Sequence, residues 1–178
     1  MTTEGESYLR LALSTSLLPF SAPPSTPFPR ATTEAFALDS YENLLFSIAR
    51  FKETVGRYPS RVTVVGFAVK EARFRELHRK TIGFPLDRFD YVGIDQDGDL
   101  EAFRRGELEY GYRPFVRDPT GCRSPLASKR VGRNVGRRWP SYHSSAPEMR
   151  GLLEWCPTPD EVERLSGHEW DHVLPWNQ

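Results

Sequence analysis

Two short apolar segments with a helical segment between them decide the fold: RVTVV at 61–65, EARFRELHRKTI at 71–82 and DYVGI at 90–94. Four of the five residues in RVTVV are β-branched, which is typical of a strand. Its nearly continuous apolar character predicts burial on both faces. The middle segment predicts a helix that ends at Gly83, with these residues on its inner side: Phe74, Leu77, His78 and Ile82. DYVGI predicts the next strand.

The residues before this unit predict a helix from Asp39 to Thr54. Asp39, with Glu42 three residues later, is typical of a capping box, and Gly56 ends the helix. One stripe holds its apolar side chains: Leu44, Leu45, Ile48, Phe51 and Val55. The order helix, strand, helix, strand with short loops therefore predicts an α/β fold with parallel strands and right-handed crossovers.

The flanking regions are less regular. A proline-dense stretch at 19–29 can form neither a helix nor a central strand, and periodicity fades after Pro114. We therefore divide the chain into an α/β domain at 1–112 and an irregular C-terminal extension at 113–178. The extension consists of a basic part without acidic residues at 119–147 and an acidic part at 148–178.

The composition excludes some classes of function. The 178 residues include 24 basic and 24 acidic side chains, so no net field draws the whole protein to nucleic acid or to a membrane. The uncharged run at 11–28 is interrupted by prolines and cannot cross a membrane as a helix. Cys122 and Cys156 have neither metal-ligand spacing nor the pattern of a disulfide framework. Together with the acidic N-terminus, which is unlike a signal peptide, they predict a reducing, cytoplasmic location.

Residues 34–95 contain a recognisable set of motifs. Glu34 is followed five residues later by DSYEN at 39–43, which opens a helix, and the first strand leads into GFAVKEAR at 66–73. These motifs resemble those of the YdcF-like (SanA/ElyC-type) family of domains of unknown function, and its fungal branch most closely. Arg73 matches an arginine of the family. Lys70 stands where many members have histidine, so the resemblance implies no histidine-based proton transfer at this position.

The resemblance implies a Rossmann-like three-layer sandwich with parallel strands. The family's domain begins with an Asp-containing hydrophobic strand and a glycine turn, followed by a second strand that ends in Ser-Gly-Gly. Neither element precedes Thr3 here. The chain therefore resembles a truncated domain, namely the C-terminal half of the family's fold followed by a tail.

In Rossmann-like sheets, ligands bind at the carboxyl ends of the strands. The resemblance implies these ligand-binding residues at that edge: Glu34, Asp39, Ser40, Asn43, Gly66, Lys70 and Arg73. Lys70 and Arg73 would hold the negative charge of a ligand at a helix start, where the helix dipole disfavours cations but favours anions. Glu34 and Asn43 would orient the ligand.

Structural roles are the alternative for the same residues. The two cations can be solvated, or paired with Glu34 or Glu71. Asp39 and Ser40 are common residue types at a helix start, where they cap the free N–H groups. Ser40 has no obvious histidine partner in the sequence, and no catalytic residue is assigned.

The function implied by the resemblance is binding of a small anionic or nucleotide-like ligand, with the reaction unassigned. Fold analogy alone suggests S-adenosylmethionine as an example of such a ligand, and the sequence indicates no metal and no oligomeric state. The alternatives are a non-catalytic interaction protein that acts through the basic segment and acidic tail, or a non-functional truncated product.

Three weaker motifs favour structural interpretations. HEWDH at 168–172 fits the zinc-protease pattern but lacks a downstream third ligand. Asp95 to Asp99 resembles a calcium loop, but Gly106 occupies the position of the bidentate glutamate, so an acidic turn is favoured. The basic run from Lys129 to Arg138 has no interleaved aromatic residue, which favours a solvated run, or one that covers an acidic surface, over nucleic-acid binding.

Overall fold

The computed structural model describes residues 3–15, 17, 31–95, 97–164 and 173–177. Its central element is a pair of parallel strands, β1 (Val62–Phe67) and β2 (Phe89–Ile94). Val62 lies opposite Phe89, and Phe67 lies opposite Ile94. The predicted strands and their parallel direction are confirmed, and the fold is a mixture of helices and strands.

Two helices precede the strands, α1 (Glu4–Ser14) and α2 (Ser40–Val55). The predicted helix over 39–54 is confirmed, and the Asp39 carboxylate accepts a hydrogen bond of 2.9 Å from the Glu42 N–H. Such a cap contributes about 1 kcal/mol to stability. The Glu42 carboxylate accepts from the Leu38 N–H instead of the Asp39 N–H, so only one half of the predicted capping box forms. Gly56 ends α2 at a φ of 80°, where a residue with a Cβ would be strained. The side chains that α2 buries are Tyr41, Leu44, Leu45, Ile48 and Ala49.

The connection between the strands is helical but not regular. A 3₁₀ turn (Ala68–Lys70) leads into a π-helical segment (Arg73–His78) and then into α3 (Arg79–Thr81). Gly83 follows at a φ of 60°, as its predicted role as a helix end requires. A second 3₁₀ turn (Leu86–Arg88) precedes β2. The prediction of one regular helix over 71–82 is therefore correct in place but not in helix type.

A long helical run follows β2. It consists of α4 (Leu100–Gly106), a π-helical segment (Glu107–Tyr112) and α5 (Arg113–Arg117). The predicted domain boundary after residue 112 lies inside this run. Short helices follow in the region expected to be irregular: α6 (Leu126–Arg133), α7 (Tyr142–Ser145), α8 (Arg150–Glu154) and α9 (Pro159–Arg164), with 3₁₀ turns at Pro147–Met149 and Pro175–Asn177.

The C-terminal region shares its hydrophobic core with the strands and α2. Close to half of the core residues come from residues after 112: Phe115, Leu126, Tyr142, Ala146, Met149, Leu152, Leu174 and Trp176. The Trp176 ring packs on Phe84 with 5.9 Å between the ring centroids. Its indole N–H lies 3.2 Å from the carbonyl oxygens of both Ile82 and Gly83, at the end of a helix, where carbonyl groups lack intrahelical donors. The extension is therefore part of the same packed unit as the α/β region.

Cys122 and Cys156 form a disulfide bond, with their Cα atoms 5.7 Å apart. The sequence pattern had indicated no disulfide framework for these cysteines, and the structure corrects that interpretation. The two residues are 34 positions apart, and no sequence pattern links them. The short helices between them bring them together.

One face of the sheet is exposed. Its side chains are 42–63% accessible to solvent: Val65 63%, Phe67 42%, Val92 50% and Ile94 51%. Val62, Val64, Phe89 and Tyr91 on the other face pack into the core or against it. The prediction that β1 is buried on both faces is therefore wrong, because no described residue forms a layer over the outer face.

A search of the described residues for membrane-crossing helices finds none with the necessary length and apolar character.

Candidate functional site

The first turn of α2 packs against the helical connection that follows β1. Three of the predicted ligand-binding residues, Asp39, Ser40 and Arg73, are linked by contacts or charge effects across this packing, and Lys70 shares the neighbour Glu107 with Arg73. Each lies next to a residue that the sequence analysis did not single out for the site. The contacts of these four residues determine what the arrangement can do.

Asp39 holds two partners at once. One carboxylate oxygen caps α2, and the other lies 2.6 Å from Arg130 Nε. Arg130 also lies 3.2 Å from Glu42 Oε1 and donates a 2.6 Å hydrogen bond to the Thr120 carbonyl. Gly121 packs on this ion pair, because a Cβ there would lie 2.6 Å from Arg130 Nη2. The cap is confirmed, and the ion pair with the basic segment adds a contact that the sequence did not reveal.

The Glu34 side chain binds backbone N–H groups of its own loop. Its carboxylate accepts hydrogen bonds of 2.9 and 2.8 Å from the N–H groups of Phe36 and Ala37. Tyr142 donates a third, at 2.8 Å, from α7. In this structure Glu34 therefore fixes the approach to α2 and connects it to the C-terminal region.

Burial raises the pKa of Glu42 to about 7. The Arg130 guanidinium opposes this shift, whereas the charges of Asp39 and Glu34 add to it. The Leu38 N–H donates a 2.8 Å hydrogen bond to Glu42 Oε2. Glu42 therefore carries only part of its negative charge at neutral pH.

Ser40 lies beside a histidine. Its Oγ is 2.8 Å from His78 Nε2, although the two residues are 38 positions apart. The His78 side chain has no exposed surface. Three aromatic rings surround its imidazole with centroid distances of 4.5–5.9 Å: Tyr41, Phe74 and Phe115. Ser40, a common helix-start residue type, is thus also half of a serine–histidine pair.

Burial lowers the pKa of His78 well below its usual range, and the positive charges of Arg73 and Arg130 lower it further. The imidazole is therefore neutral at pH 7. The sequence analysis missed this residue as part of the site. The available signal was a polar residue on the inner, apolar side of the helix over 71–82, but its partner is fixed only by how the two helices pack.

Arg73 forms an ion pair with Glu107, with 2.9 Å between Nε and Oε1 and side-chain exposures of only 11% and 13%. It is thus paired, but with neither of the two glutamates that the sequence suggested. Lys70 Nζ lies 5.1 Å from the centre of the Phe67 ring. Among the described residues Lys70 forms no ion pair, although its charge acts on Glu107.

Gly66 and Asn43 occupy different places. A Cβ on Gly66 would lie 2.8 Å from the Tyr91 hydroxyl, which donates a hydrogen bond to the Phe67 carbonyl. Gly66 therefore leaves room for this contact at the end of β1. The Asn43 side chain is exposed, and its backbone N–H donates to the Asp39 carbonyl at 2.9 Å as part of α2.

The three weaker sequence motifs lie in different parts of the chain. HEWDH at 168–172 lies outside the described residues. In the acidic turn, Asp99 caps α4 by accepting a 3.0 Å hydrogen bond from the Ala102 N–H. A search of the described residues for groups of three or more side chains able to bind a metal finds none. In the basic run, Arg130 covers the acidic groups at the start of α2, and Arg133 donates to the Leu38 carbonyl nearby.

Comparison with known proteins gives a partial match to a yeast protein. No protein-family model matches the chain, and no solved structure matches it. Over 64 residues, or 36% of this chain, it is 47% identical to uncharacterized protein YOR238W of Saccharomyces cerevisiae. The match covers 21% of the yeast protein, so the chain spans about a fifth of the length of this relative.

Proposed function

We propose that the protein contains a YdcF-like α/β domain of the fungal branch, and that it binds a small anionic or nucleotide-like ligand where β1 ends and α2 begins. The observation that supports this proposal is Lys70, a cation without an ion-pair partner among the described residues. It lies within electrostatic range of the buried Arg73–Glu107 pair. An anionic group would supply the missing partner.

The start of α2 offers further groups for such a ligand. The first-turn N–H groups of a helix attract anions, and α2 is a helix of 16 residues that begins at Ser40. Burial keeps His78 neutral, so it can exchange hydrogen bonds without adding charge. The raised pKa of Glu42 reduces the repulsion that a second anion would meet. By fold analogy, S-adenosylmethionine and nucleotides are the cofactor-like ligands to test first.

A thermal-unfolding screen with inorganic phosphate, nucleotides, S-adenosylmethionine and phosphosugars tests the proposal. A ligand present at 100 times its Kd stabilises the protein by about 2.7 kcal/mol. We expect the variant with Lys70→Ala and Arg73→Ala to lose the shift. The control variant, with Arg75→Ala and Lys80→Ala, removes two charges at exposed ion pairs of the same helical connection. We expect this control to retain the ligand-induced shift in unfolding temperature. Unchanged shifts in the first variant would show that the anion-binding role is wrong.

The exposed sheet face supports the finer fold proposal, a Rossmann-like three-layer sandwich of which this chain holds part. Val65 and Phe67 on β1 and Val92 and Ile94 on β2 form an apolar strip of the kind that a second helical layer covers in α/β folds. The proposal of a truncated domain depends on this strip. A cooperative melt and resistance to proteases of the 178-residue product would argue against a non-functional fragment.

A different observation favours the second candidate, a non-catalytic interaction protein. Val131, Val135 and Trp139 in the basic segment are largely exposed. Apolar side chains among basic ones suit an acidic partner surface. Fluorescence anisotropy with a labelled polyglutamate peptide tests this candidate, and we expect Val135→Ser with Trp139→Ser to abolish binding. Deletion of the whole tail is unsuitable, because the tail contributes to the core.

The Cys122–Cys156 disulfide conflicts with the expected cytoplasmic location. Disulfides form and persist in oxidising compartments and are rare in the cytosol. Alkylation of free thiols in freshly lysed cells, followed by mass spectrometry, distinguishes a reducing from an oxidising compartment. Alkylated cysteines would indicate the cytoplasm, and unmodified, disulfide-bonded cysteines would indicate an oxidising compartment.

A further inference from the structure

We propose that Ser40 and His78 form a nucleophile–base pair that transfers the acyl group of a carboxylic ester to water. The two side chains meet across 38 residues, with 2.8 Å between Oγ and Nε2. That separation is the hydrogen-bond distance found between a catalytic serine and its base. This activity goes beyond ligand binding and does not require the ligand to be anionic.

The histidine is in the correct state to accept a proton. Burial among three aromatic rings keeps its imidazole neutral, so Nε2 has a lone pair for the Ser40 hydroxyl when the ring proton is on Nδ1. His78 Nδ1 is buried and has no hydrogen-bond partner among the described residues. A buried polar nitrogen without a partner is costly to stability, and an apolar residue at this position would avoid that cost.

The start of α2 offers donors for the negative charge that develops on the ester oxygen. The first-turn N–H groups of a helix have no intrahelical acceptor. Asp39 takes that of Glu42, which leaves those of Ser40 and Tyr41 next to the nucleophile. Backbone donors of this kind stabilise an oxyanion.

The reaction balances without a metal, a reductant or an oxidant. Ser40 Oγ forms a bond to the carbonyl carbon while its proton moves to His78 Nε2. The bond from carbon to the alcohol oxygen then breaks, and the alcohol leaves with that proton. Water attacks the serine ester, again giving its proton to His78, which returns it to Ser40 Oγ as the carboxylic acid departs.

A fluorophosphonate probe tests the nucleophile directly, because its phosphorus binds an activated serine oxygen and releases fluoride. We expect intact-mass and peptide analysis to find one adduct, on Ser40. Ser40→Ala removes it, and His78→Gln lowers the labelling rate about 100-fold or more. Ser47→Ala, on an exposed position of the same helix, keeps the wild-type rate.

Each other outcome overturns the proposal. A folded wild-type protein that stays unlabelled at Ser40 means that the hydroxyl only satisfies a buried histidine. Equal labelling in His78→Gln, with its fold checked by circular dichroism and thermal unfolding, means that His78 is no base. Equal labelling of Ser47 means that the probe reports exposure. The readout is separate from the ligand screen, so either proposal can fail alone.

Discussion

Residues 39–94 bury their apolar side chains along one long helix and one face of a sheet, whereas the described residues between 113 and 177 bury theirs singly or in pairs from helices of eight residues or fewer. The first region gains its order from repeated local hydrogen bonds. The second is held by contacts to distant residues: the disulfide, the Trp176 N–H, the Tyr142–Glu34 hydrogen bond and the Arg130–Asp39 ion pair. The difference shows that a region without sequence periodicity can still contribute strongly to a core.

The largest effect should come from the last anchored side chain of the second region. Trp176→Ala removes a buried ring and leaves two helix-end carbonyl groups without their donor. We expect a loss of about 3–5 kcal/mol in the free energy of unfolding. Urea denaturation measures it. Val173→Ala, at an exposed position nearby, is the control and should change stability by less than about 0.5 kcal/mol. Equal effects would mean that the second region does not complete the core.

Breaking the disulfide should have the next largest effect. Cys122→Ser with Cys156→Ser frees a loop of 34 residues, for which the chain-entropy relation gives about 3–4 kcal/mol. Thermal unfolding with and without dithiothreitol measures it. The double variant should no longer respond to the reductant. A wild-type protein with the same Tm in both buffers would contradict the prediction.

The ion pair between the two regions should contribute less. Arg130→Met leaves Asp39 and Glu42 without their cation in a largely buried place. We expect the free energy of unfolding to fall by about 2 kcal/mol. This is less than the full cost of an unpaired buried charge, because water reaches part of this site. Arg137→Met, in the same basic run, is the matched control. A double-mutant cycle with Asp39→Asn isolates the coupling between the regions, and a coupling energy near zero would refute it.

The smallest effect is a pH dependence. Because burial raises the pKa of Glu42 from its ordinary value of 4.5 to about 7, the folded state retains a proton that the unfolded chain releases in this window. Stability therefore falls as pH rises from about 4.5 to 7, by about 1–2 kcal/mol from this group once its partial exposure to solvent is discounted. Denaturation of Glu42→Gln over this pH range should show a flatter profile. Arg130→Met should steepen it, and an unchanged profile in Glu42→Gln would contradict the assignment.

The sequence predicted those parts of the fold in which local pattern and local structure coincide. The β-branched run before Gly66 and the apolar stripe of α2 are long enough to reveal their period, and Asp39 and Gly83 mark helix ends by residue type alone. The outer face of β1 was misjudged, because a run of apolar residues shows that a strand can be buried but not that a layer covers it.

The candidate site was predicted only in part, because its residues meet through packing. Asp39, Ser40, Lys70 and Arg73 were identified by resemblance, and their roles as ligand-binding residues stay predictions. His78 and Arg130 complete the cluster from 38 and 91 positions away, respectively, and no spacing rule links them to the start of α2.

Trp176 has a consequence for how the protein is made. Its indole N–H closes the end of the helix at Ile82, 94 residues earlier. At about 5–20 residues per second, a ribosome needs roughly 5–20 seconds to add the intervening residues. During that time Ile82 and Phe84 have no cover from Trp176, although the nearby strands are already complete. The folding of this core therefore ends after residue 176 has been synthesised, and nascent chains that stop earlier are expected to be chaperone clients.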